Sequence, residues 1–174
     1  MLWENVARRV KAVGYLLELT ERSGVSNSVK SSYYRSAILL ICSIVEGLVF
    51  ELVRQSTMTN DLVLWQSTDH QKRHQIPASA FGTTADLIIC EPMKKDVRIT
   101  DNGVDFGKLN LYAKNNSLVT EKEYKMLSKV RTERNRIHIQ SITAPDTGYT
   151  RNKVEIVSKP IPFLVTKLRV VRKT

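Results

Sequence analysis

Cysteine is scarce in this sequence of 174 residues. Cys42 and Cys90 are its only cysteines, which is too few for a disulfide framework or a cysteine-rich zinc module. Both stand in apolar stretches, so we expect buried, unreactive thiols in a reducing compartment. With 42% apolar residues but only seven glycines and five prolines, the chain is neither fibrous nor disordered. Its length suits one core, and we expect a single domain spanning residues 1–174.

Long apolar runs are also missing. The longest, residues 37–45, contains Ser43 and is ended by Glu46, whereas a membrane-spanning helix needs about 20 apolar residues. The first ten residues carry Glu4 and do not resemble a signal peptide. The sequence therefore predicts a cytoplasmic protein without a membrane partner.

Positive charge is abundant and unevenly distributed. The formal net charge is +10, and residues 121–174 contain 13 basic against 5 acidic side chains. One basic face and an anionic partner, usually nucleic acid, would explain this excess. A solvated surface that favours solubility is the alternative interpretation, and charge alone does not separate the two.

Helical periodicity covers much of the chain. Apolar residues recur at helical spacing in residues 2–20 and 28–57. Thr120 and Glu123 form a capping box that should begin a helix reaching about Ser141. Further helices are expected at residues 60–75, 106–114 and 163–172. Pro160 and Pro162 separate the last of these from residues 150–158.

The segment at about 77–105 interrupts this pattern. A short apolar run, Pro92 and a turn signal at residues 100–103 indicate an irregular insertion, with a short hairpin through residues 97–99 as the alternative. We therefore predict an all-α fold, an up-and-down bundle of four to five helices with this insertion.

The helix predicted at 120–141 carries an unusual polar face. Arg131 and His138 are seven residues apart, so they differ by only about 20° in direction and about 10 Å along the axis. Arg134 and Asn135, four and three residues before His138, lie on the same face. This face also touches Leu127, which suggests that it points toward a neighbouring element.

Glu46 supplies a matching signal on the second helix. Its helical neighbours are apolar, among them Cys42 and Val49, and a carboxylate on such a face needs a cation nearby. Arg131 or Arg134 is the natural partner. The pair would either belong to a functional site or only fix the packing of two helices, and both interpretations stay open.

These residues resemble the HEPN superfamily of small helical-bundle proteins, many of them RNases of toxin–antitoxin and other defence systems. The stretch RTERNRIHI is similar to its R-x4-6-H motif, and AILLICSIVEGLVFELV is similar to its long second helix with an acidic residue near the motif. Six residues separate Arg131 from His138 and three separate Arg134 from it, while the Asn usual after the motif Arg follows Arg134. Both arginines therefore compete for the motif position.

The resemblance implies a metal-independent endoribonuclease without a cofactor. The ribose 2′-OH would attack the adjacent phosphorus to leave a cyclic phosphate and a 5′-hydroxyl, with His138 moving protons. Arg131 or Arg134 would stabilise phosphoryl charge, Asn135 would orient His138 or the phosphate, and Glu46 would hold the Arg. The family also implies a homodimer around a shared cleft and, for a toxin, a cognate antitoxin protein.

Further residues are candidates for contact with RNA. Lys129 and Arg136 belong to the basic last third, and Tyr34 offers a ring for stacking on bases. Two alternatives remain: a catalytically inactive HEPN-like module that binds RNA, a nucleotide or a partner protein, and a basic helical DNA-binding regulator. His70 and His74 have a spacing that can bind metal on a helix, but a polar helix surface explains them better.

Overall fold

The computed structural model describes residues 2–56, 63–80, 82, 84–98, 104–140 and 148–171, and of residues 64, 65, 138–140 and 171 it describes only the backbone. The chain divides into two compact units. A helical unit consists of Met1–Met58 and Asp105–Thr174, and a hairpin unit consists of Thr59–Val104.

The helical unit is built around one long central helix. In chain order its described helices are α1 Leu2–Thr20, α2 Asn27–Ser56, α3 Phe106–Asn115, α4 Glu121–Gln140, α5 Arg151–Ser158 and α6 Pro160–Val171. The second of them, α2, contacts all five others. The helices predicted near 2–20, 28–57, 106–114, 120–141 and 163–172 are therefore confirmed, with ends that differ by a few residues. No helix was predicted where α5 lies.

The apolar character of α2 reflects its place in the core. Ala37, Ile38, Val45, Val49 and Val53 are all fully buried. By length and composition α2 would also be able to cross a membrane, and 61% of its most apolar 18-residue window is buried inside the protein. A core helix meets the same criteria of length and composition, because a helix that is apolar on most sides must be covered by something.

The start of α4 is fixed by the predicted capping box. The backbone N–H of Thr120 donates to Glu123 Oε2 at 2.7 Å, and the backbone N–H of Glu123 donates to Thr120 Oγ1 at 3.3 Å. These bonds satisfy donors that the first turn of a helix leaves open. From this start the helical repeat turns Leu127, Val130 and Ile137 into the core, where all three are buried.

The prediction of an all-α fold is wrong. The hairpin unit contains two strands, β1 Val63–Ile76 and β2 Leu87–Arg98, paired antiparallel from Val63 opposite Arg98 to Ile76 opposite Leu87. Residues 60–75 were expected to be helical, but residues 63–75 lie in β1. The expected irregular insertion at about 77–105 contains β2 and a short 3-10 turn, Ala78–Ala80.

The composition of the hairpin gives the physical reason for this error. Between Gln66 and Gln75 almost every residue is polar, so no apolar stripe of helical period is present. Thr68 in β1 and Ile88 and Ile89 in β2 are β-branched residues, which favour strands. The strand conformation therefore depends on backbone pairing between β1 and β2. A pattern within a short stretch of sequence does not reveal this pairing.

Two further predictions, for the cysteines and for His70 and His74, concern residues of the hairpin. Cys42 is buried as expected, but Cys90 is exposed on β2, so the prediction of two buried thiols is wrong for Cys90. His70 and His74 are exposed on β1, where four residues span about 13 Å rather than one helical turn. Within the described ranges no three His, Cys, Asp or Glu side chains are grouped so that they could hold a metal ion.

Candidate functional site

The centre of the candidate site is an ion pair between α2 and α4. Arg134 Nη1 donates a hydrogen bond to Glu46 Oε1. Both side chains are partly covered, with 24% of the Glu46 side chain and 40% of the Arg134 side chain exposed. The prediction that Glu46 pairs with Arg131 or Arg134 is thus confirmed for Arg134. The pair ties the two helices together at one point along each.

A buried thiol lies one helical turn before Glu46. Cys42 is fully buried, and its Sγ donates to the carbonyl oxygen of Val130 on α4 at 3.8 Å. Burial, together with the negative charge of Glu46, raises the pKa of Cys42 to about 12, although the positive charge of Arg134 opposes this. The thiol is therefore protonated at neutral pH and does not act as a nucleophile.

Arg131 lies elsewhere on α4, against the start of α3. Its Nη2 is 3.8 Å from Oδ2 of Asp105, the N-cap residue that accepts a hydrogen bond from the backbone N–H of Lys108. A Cβ atom added to Gly107 would lie only 2.4 Å from Cζ of Arg131. The guanidinium therefore occupies space that exists only because residue 107 has no side chain. About half of the Arg131 side chain, 47%, remains exposed.

The two arginines thus have different surroundings on one helix. Arg134 points toward α2 between the buried Val130 and Ile137, and its charge is compensated by Glu46. Arg131 is near the carboxylate of Asp105, but both of these side chains are about half exposed, so water screens their attraction. The pair of Arg131 with Asp105 is therefore the weaker of the two.

Two further predicted residues extend the same face. Asn135 is exposed, and by the 100° advance per residue it lies about 40° around α4 from Arg131. His138 is part of α4, one turn beyond Arg134, but its side chain lies outside the part of the chain that the structure describes. The backbone of α4 therefore places Arg131, Arg134, Asn135 and His138 along one side, as the spacing predicts.

The predicted RNA-binding residues do not join this face. Lys129 and Arg136 are exposed, but they lie about 160° and 140° around the axis of α4 from Arg131. Tyr34 is on α2, twelve residues or about 18 Å before Glu46, where it lines a small groove with Glu21 and other residues. The structure thus separates Tyr34 from the ion pair.

The structure reveals two features that sequence reasoning missed. First, a basic stripe runs along the solvent-facing side of α4 and consists of the exposed residues Lys122, Lys125, Lys129 and Arg136. Their spacing of 3, 4 and 7 residues was a usable signal. Second, a groove between α4 and α5 contains Glu133 and Lys159. No local signal reports the groove, because it depends on where α5 packs.

The site therefore has a compensated pair, Glu46 with Arg134, and a more available cation, Arg131, on the side of α4 that also carries Asn135 and His138. Such a combination suits the binding of a phosphate group next to a side chain that transfers protons. These properties follow from the chain's own residues. When the chain is compared with protein-family models, with curated proteins and with solved structures, none of them matches it.

Proposed function

We propose that the helical unit is a HEPN-type endoribonuclease that cleaves RNA without a metal ion. The observation that carries this proposal is the Glu46–Arg134 pair, which fixes the register of α4 against α2. With that register, Arg131 is exposed on the side of α4 where His138 follows two turns later. The high positive charge of residues 121–174 agrees with a polyanionic substrate.

Arg131 is the residue that contacts phosphate in this proposal. Arg134 is held by a hydrogen bond to Glu46, whereas Arg131 has only a longer, half-exposed ion pair with Asp105, so Arg131 gains more from a phosphate partner when RNA binds. It would stabilise the negative charge that develops on the phosphoryl oxygens. Arg134 and Glu46 are then positioning residues that hold α4 in place.

The chemistry needs one group that removes a proton and one that supplies a proton. The ribose 2′-oxygen loses its proton and forms a bond to the adjacent phosphorus, while the bond from phosphorus to the 5′-oxygen breaks and that oxygen takes up a proton. The products are a 2′,3′-cyclic phosphate and a 5′-hydroxyl, so no water or metal ion enters the step. His138 suits one of these transfers, because imidazole changes protonation near neutral pH. Asn135 would orient the imidazole or the phosphate.

The cellular role follows the same proposal. The protein would act in the cytoplasm, as a homodimer in which two α4 helices face a shared cleft. As a toxin or defence effector it would need a cognate antitoxin protein to keep it inactive. The basic stripe, Lys122, Lys125, Lys129 and Arg136, would bind the RNA backbone in a salt-dependent way.

A cleavage assay in EDTA tests the proposed reaction. Purified protein is incubated with end-labelled single-stranded RNA in excess EDTA, and the ends of the products are identified. We expect cleavage that EDTA does not reduce, with 2′,3′-cyclic phosphate and 5′-hydroxyl ends. Cleavage that requires a divalent ion, or products with 5′-phosphate ends, would contradict the mechanism.

The basic stripe also favours a second candidate function, an inactive module that binds RNA, because none of its four residues lies on the His138 side of α4. RNA binding without cleavage in the same assay would support that candidate. A stronger affinity for duplex DNA than for single-stranded RNA would instead indicate a DNA-binding regulator. Titrating salt in both binding experiments measures the phosphate contacts, since each lost contact lowers the salt dependence.

A further inference from the structure

A groove between α4 and α5 lies on the opposite side of α4 from Arg131. It has a volume of about 570 Å³, within the range typical of small-molecule sites. Its lining combines two apolar side chains, two lysines, a hydroxyl and a carboxylate: Met126, Ile156, Lys129, Lys159, Thr132 and Glu133. Both helices belong to the helical unit, so the groove is a feature of one compact body.

Glu133 is the unusual member of this lining. Its Oε2 atom is buried and has no hydrogen-bond partner within the described residues. A buried carboxylate oxygen without a partner is costly, because it has lost water and gained nothing in return. Lys129, one turn earlier on α4, and Lys159 also line the groove, but neither forms an ion pair with Glu133 among the described residues. The groove thus has in its wall a carboxylate with one unpartnered oxygen, and two lysines line it as well.

We propose that this groove binds a guanine nucleotide of the RNA strand, which deepens the proposed function by assigning a base preference. Of the four RNA bases, guanine presents two adjacent donors, N1–H and the N2 amino group, on its Watson–Crick edge. A carboxylate accepts such donors, and it repels the acceptor atoms that the other bases place beside theirs. The flat base would lie between the apolar side chains of Met126 and Ile156.

The two lysines of the groove would bind the phosphate of a nucleotide, which a free base lacks. Lys129 belongs to α4 and Lys159 directly follows α5, and both line the same groove as Glu133, so they can contact one phosphate from two sides. This arrangement matches a ligand with hydrogen-bond donors at one end and negative charge at the other.

The exposed side of α4 connects the groove with Arg131. In order around the helix from Arg131, the exposed residues are Asn135, Thr132, Arg136 and Lys129, and of these Thr132 and Lys129 line the groove. Asn135 therefore lies between Arg131 and the groove, and Arg136 lies in angle between the two groove residues Thr132 and Lys129, where an RNA strand would pass. A strand crossing one helix diameter of about 10 Å would place the bound guanine one or two nucleotides from the cleaved bond.

The proposal is tested by calorimetric titration of the full chain with guanosine, adenosine, cytidine and uridine 5′-monophosphates. We expect the guanine nucleotide to bind most tightly. Glu133→Gln should lower the affinity for this nucleotide about 10–100-fold, because a charged acceptor is lost. Guanosine, which has no phosphate, is titrated as well. Lys159→Gln should weaken the binding of guanosine 5′-monophosphate more than the binding of guanosine. Glu155→Gln is the matched control, because Glu155 is exposed on α5 and does not line the groove.

Each result of these titrations decides the question. Equal binding of the four nucleotides, no binding of any of them, or unchanged guanine affinity in Glu133→Gln would overturn the proposal. Circular dichroism shows whether the variants fold. If Glu133→Gln does not fold, Lys159→Gln provides a second test of the groove. The assay involves no cleavage, so the two proposals fail separately: RNA cleavage without guanine binding refutes only the groove. Guanine binding without RNA cleavage refutes only the nuclease and leaves a guanine-binding module.

Discussion

Replacing His138 with alanine is expected to lower the rate of RNA cleavage by about 10²–10⁴-fold, the usual contribution of one general acid or base. The reason is that the 2′-oxygen or the leaving 5′-oxygen then has no side chain with which to exchange a proton near neutral pH. The measurement is single-turnover cleavage of end-labelled RNA in EDTA. Far-UV circular dichroism should be unchanged, since His138 lies in the last turn of α4.

A matched control is available in the hairpin unit. His74 is exposed on β1, so His74→Ala removes an imidazole of the same chemistry from another part of the chain. We expect this variant to cleave RNA at the wild-type rate. If His138→Ala retained full activity, or if both variants lost activity equally, His138 would not be the proton-transfer group.

The two arginines of α4 are expected to respond differently to removal. Arg131→Ala should lower cleavage by about 10²–10³-fold, because it removes a cation aimed at developing phosphoryl charge. Its effect on the free energy of unfolding should stay within about 0.5 kcal/mol, as is usual for an exposed side chain. Arg134→Ala should lower the free energy of unfolding by about 1 kcal/mol, since it removes a charged hydrogen bond at a partly covered position.

Urea unfolding and single-turnover cleavage together measure this difference. A double-mutant cycle of Glu46→Gln with Arg134→Ala should show a coupling energy of about 1 kcal/mol, whereas Glu46→Gln with Arg131→Ala should be additive. Cleavage that depends on Arg134 but not on Arg131 would exchange the roles given to them here. Equal stability of all these variants would remove the argument that the Glu46–Arg134 pair positions α4.

Gly107→Ala tests the position of Arg131 without changing its charge. The added methyl group would lie 2.4 Å from Arg131 Cζ, so the guanidinium must move away from the start of α3. Because that group is the end of a flexible side chain, the protein should remain folded. We expect cleavage to fall in the same direction as in Arg131→Ala, but by a smaller factor.

The helices of this protein could be predicted because their signals are local. The capping box of Thr120 and Glu123 gave the start of α4 within one residue, and its hydrogen bonds are present. The apolar residues of α2 indicated a helix for the same reason, since they recur at helical spacing. The strands were not predicted, because the pairing of Val63 with Arg98 joins residues 35 positions apart and leaves no trace in a short window.

In the candidate site, too, local signals could be predicted from the sequence, whereas contacts between elements could not. An isolated carboxylate among apolar neighbours indicated that Glu46 needs a cation, and Arg134 provides it. The position of Arg131 was not predictable, because it depends on Gly107, a residue of another helix with no side chain to signal a contact. The groove at Glu133 depends in the same way on the packing of α5.

In the proposed reaction Arg131 and His138 act at the same phosphate group. The most direct test is a nitrogen-15 NMR titration of the three imidazoles with an RNA dinucleotide whose reacting ribose has no 2′-hydroxyl, so that it cannot be cleaved. His70 and His74 are exposed on β1 and serve as internal references. We predict that only the His138 imidazole shifts and that Arg131→Ala abolishes this shift. An unchanged His138 signal at saturating dinucleotide, or an equal shift in Arg131→Ala, would contradict the claim.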